Sequence, residues 1–213
     1  MIPFVDIHTH HIPEGNPQHI VSIVSVDPDA TPLNPELRYS IGIHPYNIEN
    51  KDFQVVISES EKKQVLAIGE CGIDHRVPTP IDLQKGLFKA HARLAEKVGK
   101  PLIIHQVRSQ DEILSAHSDI RPEVPWIIHG FRGKKEQAMQ FLKKGFYLSF
   151  GDHYNPASLL ACPPSHLFLE TDDTGTDIRH IYENASQTLS IPCEQLKKII
   201  RENYHNVFLR TIC

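Results

Sequence analysis

Short apolar runs recur along the chain, each closing on a polar residue, a glycine or a proline, and several of the gaps between them carry helical spacing. The runs fall at 2–8 (IPFVDIH), 20–26 (IVSIVSV), 39–44 (YSIGIH), 65–70 (VLAIGE), 101–106 (PLIIHQ), 125–129 (PWIIH), 145–150 (GFYLSF) and 166–171 (HLFLET). Apolar runs of this length bounded by turn signals predict strands. Residues 81–98 place Leu83, Leu87, Leu94 and Val98 on one stripe and stop before Gly99 and Pro101, which predicts a helix closed by a glycine. Ser109-Gln110-Asp111-Glu112 reads as a capping box opening a short helix with Ile113 and Leu114. Further helices are predicted over 134–144, closed by Gly145, and over 52–63 through Phe53, Val56 and Ile57. A C-terminal helix opens at Pro192 and carries Leu196, Ile199, Ile200 and Val207. The proline-rich gaps 11–19 and 27–38 lack apolar periodicity, so no helix is expected there.

Strands alternating with helices predict an α/β fold. A trimmed (β/α)8 TIM barrel is favoured, because that fold extends down to about 200 residues and this chain has 213. The rival, an open doubly wound sheet, would need G-x-G-x-x-G after its first strand, and none follows Val5-Asp6-Ile7. No linker-like or low-complexity seam divides the chain, so residues 1–213 are expected to form one domain.

Composition adds three constraints. Lys and Arg number 22 against 26 Asp and Glu, a net charge of −4, so no overall basic field attracts a polyanion and any nucleic-acid binding must be local. Bound divalent ions would reverse the potential at such a site. The four cysteines, Cys71, Cys162, Cys193 and Cys213, lack paired spacing, which argues against a structural zinc site or a disulfide framework and for a reducing, cytoplasmic setting. No stretch of 18 apolar residues occurs, so membrane spanning is not expected; a monomer is. The third constraint is the count of 14 histidines, since imidazole is the commonest metal ligand.

Their placement carries the argument. Barrel active sites lie where the strands finish. The first predicted strand closes on Asp6-Ile7-His8-Thr9-His10, and a period of two puts Asp6, His8 and His10 on one face, the imidazoles about 7 Å apart. The third ends in His44, the fourth in Glu70, the fifth in His105, the sixth in His129 and the eighth in Asp172. The four imidazoles of His8, His10, His105 and His129 and the two carboxylates of Glu70 and Asp172 exceed the needs of one tetrahedral ion and suit two. A shared carboxylate, for which Glu70 is the obvious choice, would hold two divalent ions about 3.5–4 Å apart to activate water for a displacement. These ligand types do not distinguish Zn, Mn, Mg, Co, Fe and Ni.

With these residues in hand, the chain resembles the TatD family of metal-dependent hydrolases within the amidohydrolase group. The matching motifs are Asp6-Ile7-His8-Thr9-His10, Gly42-Ile43-His44-Pro45, Ile68-Gly69-Glu70-Cys71-Gly72-Ile73-Asp74, Lys100-Pro101-Leu102-Ile103-Ile104-His105, His129-Gly130-Phe131-Arg132-Gly133, Ser149-Phe150-Gly151 and Glu170-Thr171-Asp172. The resemblance implies a barrel with two divalent ions: His8 and His10 on the first, Glu70 shared, His105 and His129 on the second, and Asp172 as ligand and general base. His44 would support the ligands from behind or contact the substrate. The implied activity is deoxyribonuclease or phosphodiesterase action on single-stranded DNA ends, 3′–5′, by activated water. The alternatives are hydrolysis of a small ester, amide or phosphoester, deacylation of D-aminoacyl-tRNA, and metal binding without catalysis.

Two departures bear on the substrate. The family usually has a helix between its first two strands, for which 11–19 is too short, and the family's Glu-Thr-Asp-Ser-Pro is replaced by Glu170-Thr171-Asp172-Asp173-Thr174-Gly175-Thr176-Asp177. The acids of the second departure make a poor surface for a phosphate backbone. Asp6 and Asp74 are expected to orient ligating histidines or loop amides, and Arg108 and Arg132, just past two strand ends, could pair with phosphate oxygens. The aromatics show no spacing of a base-stacking platform; Phe131 is the one aromatic placed beside the expected pocket.

Overall fold

The computed structural model describes residues 2–12, 19–30 and 33–209. Most of the expectation for 11–19, part of that for 27–38, and Cys213 lie outside the described residues. The strands are β1 (Phe4–Thr9), β2 (Ile20–Val26), β3 (Tyr39–Ile41), β4 (Val65–Asp74), β5 (Leu102–Val107), β6 (Trp126–Ile128), β7 (Tyr147–Phe150) and β8 (Leu167–Leu169). The helices are α1 (Phe53–Ser60), α2 (Ile81–Val98), α3 (Gln110–Ile120), α4 (Lys135–Lys143), α5 (Pro156–Ala161), α6 (Ile178–Leu189) and α7 (Cys193–Phe208). The strands join in one sheet in chain order, β1 to β8, and Thr9 of β1 pairs in parallel with Asp172 beyond β8. Eight strands in that order with intervening helices define the (β/α)8 barrel class.

The described chain gathers into two compact units, one holding the chain up to Val24 and again from Ile128, the other running Ser25–Ile127. In the first, β1 pairs β2 and β7 pairs β8, each in parallel. Its core is built on fully buried Ile7, Phe141, Phe146, Phe150, Phe168 and Tyr182. Tyr182 of α6 is buried because its hydroxyl is satisfied twice, accepting from the Val5 amide at 3.1 Å and donating to the Val5 carbonyl at 3.0 Å. The segment that departs from the family pattern, 170–177, fills the whole connection between β8 and α6, and residues 178–189, for which the sequence suggested no element, are helical. Asp177 caps α6 by accepting from the Arg179 amide. Ile178, Ile181, Tyr182 and Ala185 make its buried face, a helical period that a single interrupting run of polar residues conceals.

In the second unit, β4 pairs β3 and β5 in parallel, around Ile41, Ile68, Ile73, Ile103, Phe88 and Trp126. β4 runs four residues beyond the predicted end at Glu70, with a register shift against β5 between Ile68 and Cys71. Three glycines permit this. A Cβ on Gly72 would lie 1.9 Å from the His105 carbonyl oxygen, one on Gly69 2.3 Å from that of Ile103, and one on Gly42 2.5 Å from that of Glu70. Gly69 also takes φ +128°, closed to side-chain-bearing residues.

α2 has its predicted bounds but a different buried face. Leu83 is exposed, and the helix buries Gln84, Phe88, His91, Ala92, Leu94 and Ala95. Two polar side chains interrupt the apolar stripe because each is fully hydrogen-bonded. Gln84 accepts from the Asp74 amide at 2.8 Å and donates to the carbonyls of Asp74 and Thr79. His91 donates from Nδ1 to the Leu87 carbonyl at 2.9 Å and accepts the Ile43 amide at Nε2 at 3.0 Å. Ser109, predicted to cap α3 through its side chain, instead donates its hydroxyl to the Ile73 carbonyl at 2.6 Å, tying α3's start to β4. Within the gap 27–38, Pro28–Ala30 forms one 3-10 turn.

Candidate metal centre

In the first unit, the end of β1 and the residues after β8 are stitched by main-chain bonds. The Asp172 amide donates to the His8 carbonyl at 2.9 Å and the His10 amide to the Asp172 carbonyl at 3.0 Å. Asp172 is thereby held at φ 57°, a left-handed conformation that aspartate tolerates better than most residues. Its Oδ1 stands 3.6 Å from Nε2 of His8 and 3.6 Å from Nε2 of His10. Donors on one tetrahedral ion with bonds near 2.0–2.1 Å are about 3.4 Å apart, so these three atoms are spaced as ligands of a common cation.

His129 joins this group. Its Nδ1 donates to Glu170 Oε1 at 3.2 Å, the same oxygen that accepts the Gly130 amide at 2.6 Å. A ligating imidazole commonly gives its other N–H to a carboxylate in this way, so Nε2 is the atom of His129 that would turn to an ion. Donor atoms of His129, Glu170 and Asp172 all lie within 4.8 Å of one another, and the His8 and His129 rings are 4.2 Å apart. Glu170 belongs to the Glu170-Thr171-Asp172 motif, yet sequence reasoning assigned it no role. The available signal was a carboxylate two residues from a candidate ligand, on the same face of an extended segment. Asp6 stands behind the ligands: it accepts the Thr171 hydroxyl at 2.7 Å, the Thr171 amide at 3.1 Å and the His8 amide at 3.4 Å. Burial pushes its carboxyl up to about 7, against the lowering by the Thr171 hydrogen bonds.

In the second unit, Glu70, His44, His105 and Asp74 form another cluster. Glu70 Oε1 is 2.8 Å from His105 Nδ1 and 3.3 Å from His44 Nε2. His44 Nδ1 accepts the Tyr46 amide at 3.2 Å. A neutral imidazole accepting at Nδ1 carries its proton on Nε2, so His44 has no lone pair for an ion and donates to Glu70 instead. His105 is arranged the other way. Its two nitrogens each meet a carboxylate, Nε2 with Asp74 Oδ2 at 3.0 Å and Nδ1 with Glu70 Oε1 at 2.8 Å; with an ion bound, Nδ1 would give up its proton and join Glu70 as a ligand while Nε2 stays on Asp74. Burial alone would raise the Asp74 carboxyl, but hydrogen bonds from Arg76 and His105 and the His105 charge hold it down at about 2. Asp74 therefore stays ionised as the acceptor that orients His105.

The first donor set thus fits a divalent ion, and Glu70 with His105 offers two further donor atoms, the opposite ring nitrogens of His105 and His129 being held by carboxylates. Arg108, at φ 54° after β5, and Arg132 are exposed. Phe131 is 3% exposed and packs edge-on against Phe141 and Phe150, so it offers no face to a base.

Comparison with known proteins agrees with this architecture. The structure of the TatD homologue YjjV from Escherichia coli K12 superposes with a TM-score of 0.81 over 99% of this chain and 100% of that one, at 20% identity, which shows the fold. The metal-dependent hydrolase YabD of Bacillus subtilis strain 168 is 27% identical over 194 residues, 79% of this chain and 76% of that protein. The deoxyribonuclease Tat-D of Schizosaccharomyces pombe is 25% identical over 162 residues, 66% of this chain but 52% of that protein. Residues 28–209 match the family model of TatD related DNases, and the chain belongs to that family. It is a metal-dependent hydrolase of the TatD type. Among the described residues, no helix is long and apolar enough to cross a membrane.

Proposed function

We propose that the protein hydrolyses phosphodiester bonds at the ends of single-stranded DNA, in the 3′–5′ direction, with two divalent ions. The observation that carries this reading is the equal 3.6 Å spacing of Asp172 Oδ1 from two imidazole nitrogens. His8, His10 and Asp172 would hold one ion, beside which His129 also stands; His105 would serve the second, and the sequence resemblance implies that Glu70 is shared and that His129 turns to the second ion as well. The ions would supply activated water and neutralise phosphate charge.

The chain's own residues do the rest. Asp172, a fifth exposed, is open enough to take a proton from attacking water while its backbone stays pinned. Glu170 and Asp74 fix the tautomers of His129 and His105, and His44 donates a hydrogen bond that steadies the Glu70 carboxylate. The alternative, a small ester, amide or phosphoester, draws on the acidic segment after β8. One of its acids is already spent: Asp177 caps α6 and pairs with Arg179. That leaves Asp173 as the added exposed acid and favours a nucleic-acid substrate.

Metal analysis of purified protein, with oligonucleotide hydrolysis in the presence of Mg, Mn, Co or Zn, tests this reading. About two ions per chain and stepwise shortening of a 3′ end are expected. Intact oligonucleotide with every metal, alongside turnover of small esters, selects the alternative. The shared role predicts that Glu70→Ala loses more than one equivalent of metal, whereas unchanged metal content and activity in Glu70→Ala and Asp172→Ala would overturn the assignment.

A further inference from the structure

We infer that Tyr46 and Arg76 form a nucleotide-binding rim beside the Glu70–His105 cluster, Tyr46 stacking on a base and Arg76 pairing with a phosphate. This deepens the nuclease reading and rests on it. Tyr46 is 58% exposed, unusual for so large a ring, and one face lies parallel to His44, with centroids 5.3 Å apart and planes 8° from parallel. The turn that carries it is fixed, because the Tyr46 amide donates to His44 Nδ1 at 3.2 Å.

Arg76 is fixed by a fork onto Asp74: Nε donates to Oδ1 at 3.3 Å and Nη2 to Oδ2 at 3.1 Å, while its side chain remains 53% exposed. Those contacts occupy two of the five N–H donors of a guanidinium, and a pre-set fork loses little freedom on meeting phosphate. The segments bearing the two side chains are braced together. Thr79 donates its hydroxyl to the Pro45 carbonyl at 3.2 Å, and Gln84 clamps Thr79 and Asp74 from α2. An aromatic face and a cation on rigid, adjoining turns are the elements with which proteins hold single strands without reading sequence.

The test measures binding of a single-stranded tetradeoxynucleotide carrying 2-aminopurine to the full chain, with chelator present so that nothing is cleaved. Tyr46→Ala should weaken binding about ten-fold, in line with 1–3 kcal/mol per stacked base, and Tyr46→Phe should restore it to within about two-fold. An abasic oligomer of the same length should bind equally to wild type and Tyr46→Ala. Arg76→Gln should flatten the dependence of log K on log salt by about 0.7, one phosphate contact on a single strand. Wild-type affinity and salt slope in Tyr46→Ala and Arg76→Gln, with oligonucleotide cleavage by the metal-loaded wild type intact, overturn the rim and leave the nuclease reading standing. A wild type that neither binds nor cleaves the oligomer overturns both.

Discussion

At the scale of single residues, the site separates atoms that can bind a cation from atoms that orient those that do. Asp172 is the sharpest case, because its backbone conformation and its carboxylate can be tested apart. Asparagine shares aspartate's tolerance of the left-handed region, so Asp172→Asn should keep the fold and lose the charge. Its kcat is expected to drop at least 100-fold, within the 10²–10⁴ range for a positioned acid or base, with an unchanged circular dichroism melt. Asp172→Val, which also opposes φ 57°, should lower stability by roughly 1–2 kcal/mol in addition. Residue-level legibility follows the same division. Histidines after apolar runs announce themselves, since imidazole is costly there without a task. His44's inability to ligate is invisible in sequence, because it depends on the Tyr46 amide occupying Nδ1. Glu170 is likewise hidden, its role resting on a contact with His129 across 41 positions.

At the scale of elements, α2 positions the second cluster through two polar side chains on its buried face. His91 is fully buried and accepts a backbone amide, and burial holds its imidazole down at about 4 from an ordinary 6.5, despite the opposing Leu87 hydrogen bond. Between those values the unfolded chain binds the proton and the folded chain does not, so stability is complete above about pH 6.5 and declines as pH falls toward 4. The loss approaches about 3 kcal/mol at 1.36 kcal/mol per pKa unit. Asp6, raised to about 7, contributes in the opposite sense over the same range, so the His91 share is read as a difference: in urea unfolding of metal-free protein between pH 4 and 7, wild type minus His91→Gln should rise with pH by this amount. β4 gives a second prediction. Gly72→Ala would press a methyl carbon onto the His105 carbonyl, so the variant should lose about 3 kcal/mol, the upper end of the usual overpacking cost, and bind less metal, by unfolding curves and metal analysis. Helix bounds such as 81–98 are legible because glycine and proline punctuate them. The buried face of α2 is not, since Gln84 and His91 break the apolar stripe that periodicity seeks.

At the scale of the molecule, strand order and family are recoverable from the rhythm of apolar runs and the residues that close them, because a parallel strand buried on both faces reads as an unbroken apolar segment. α6 escapes that reading, as its buried face is carried by only Ile178, Ile181, Tyr182 and Ala185 within a polar segment. If ions bind only the folded chain, free metal at 100 times its dissociation constant adds about 2.7 kcal/mol. For a chain of this length that corresponds to a Tm about 5–10 °C higher, which scanning calorimetry with and without chelator would register. Equal Tm values under both conditions would show that the donor clusters hold no ion.

The three glycines around β4 carry a last implication. Where strands touch main chain to main chain, no side chain stands between Glu70 and His105 to be trimmed or enlarged, so their separation is as rigid as the peptide backbone itself. Attempts to retune this hydrolase toward a larger or smaller cation will gain nothing from reshaping the surrounding core. They will have to exchange the coordinating groups themselves.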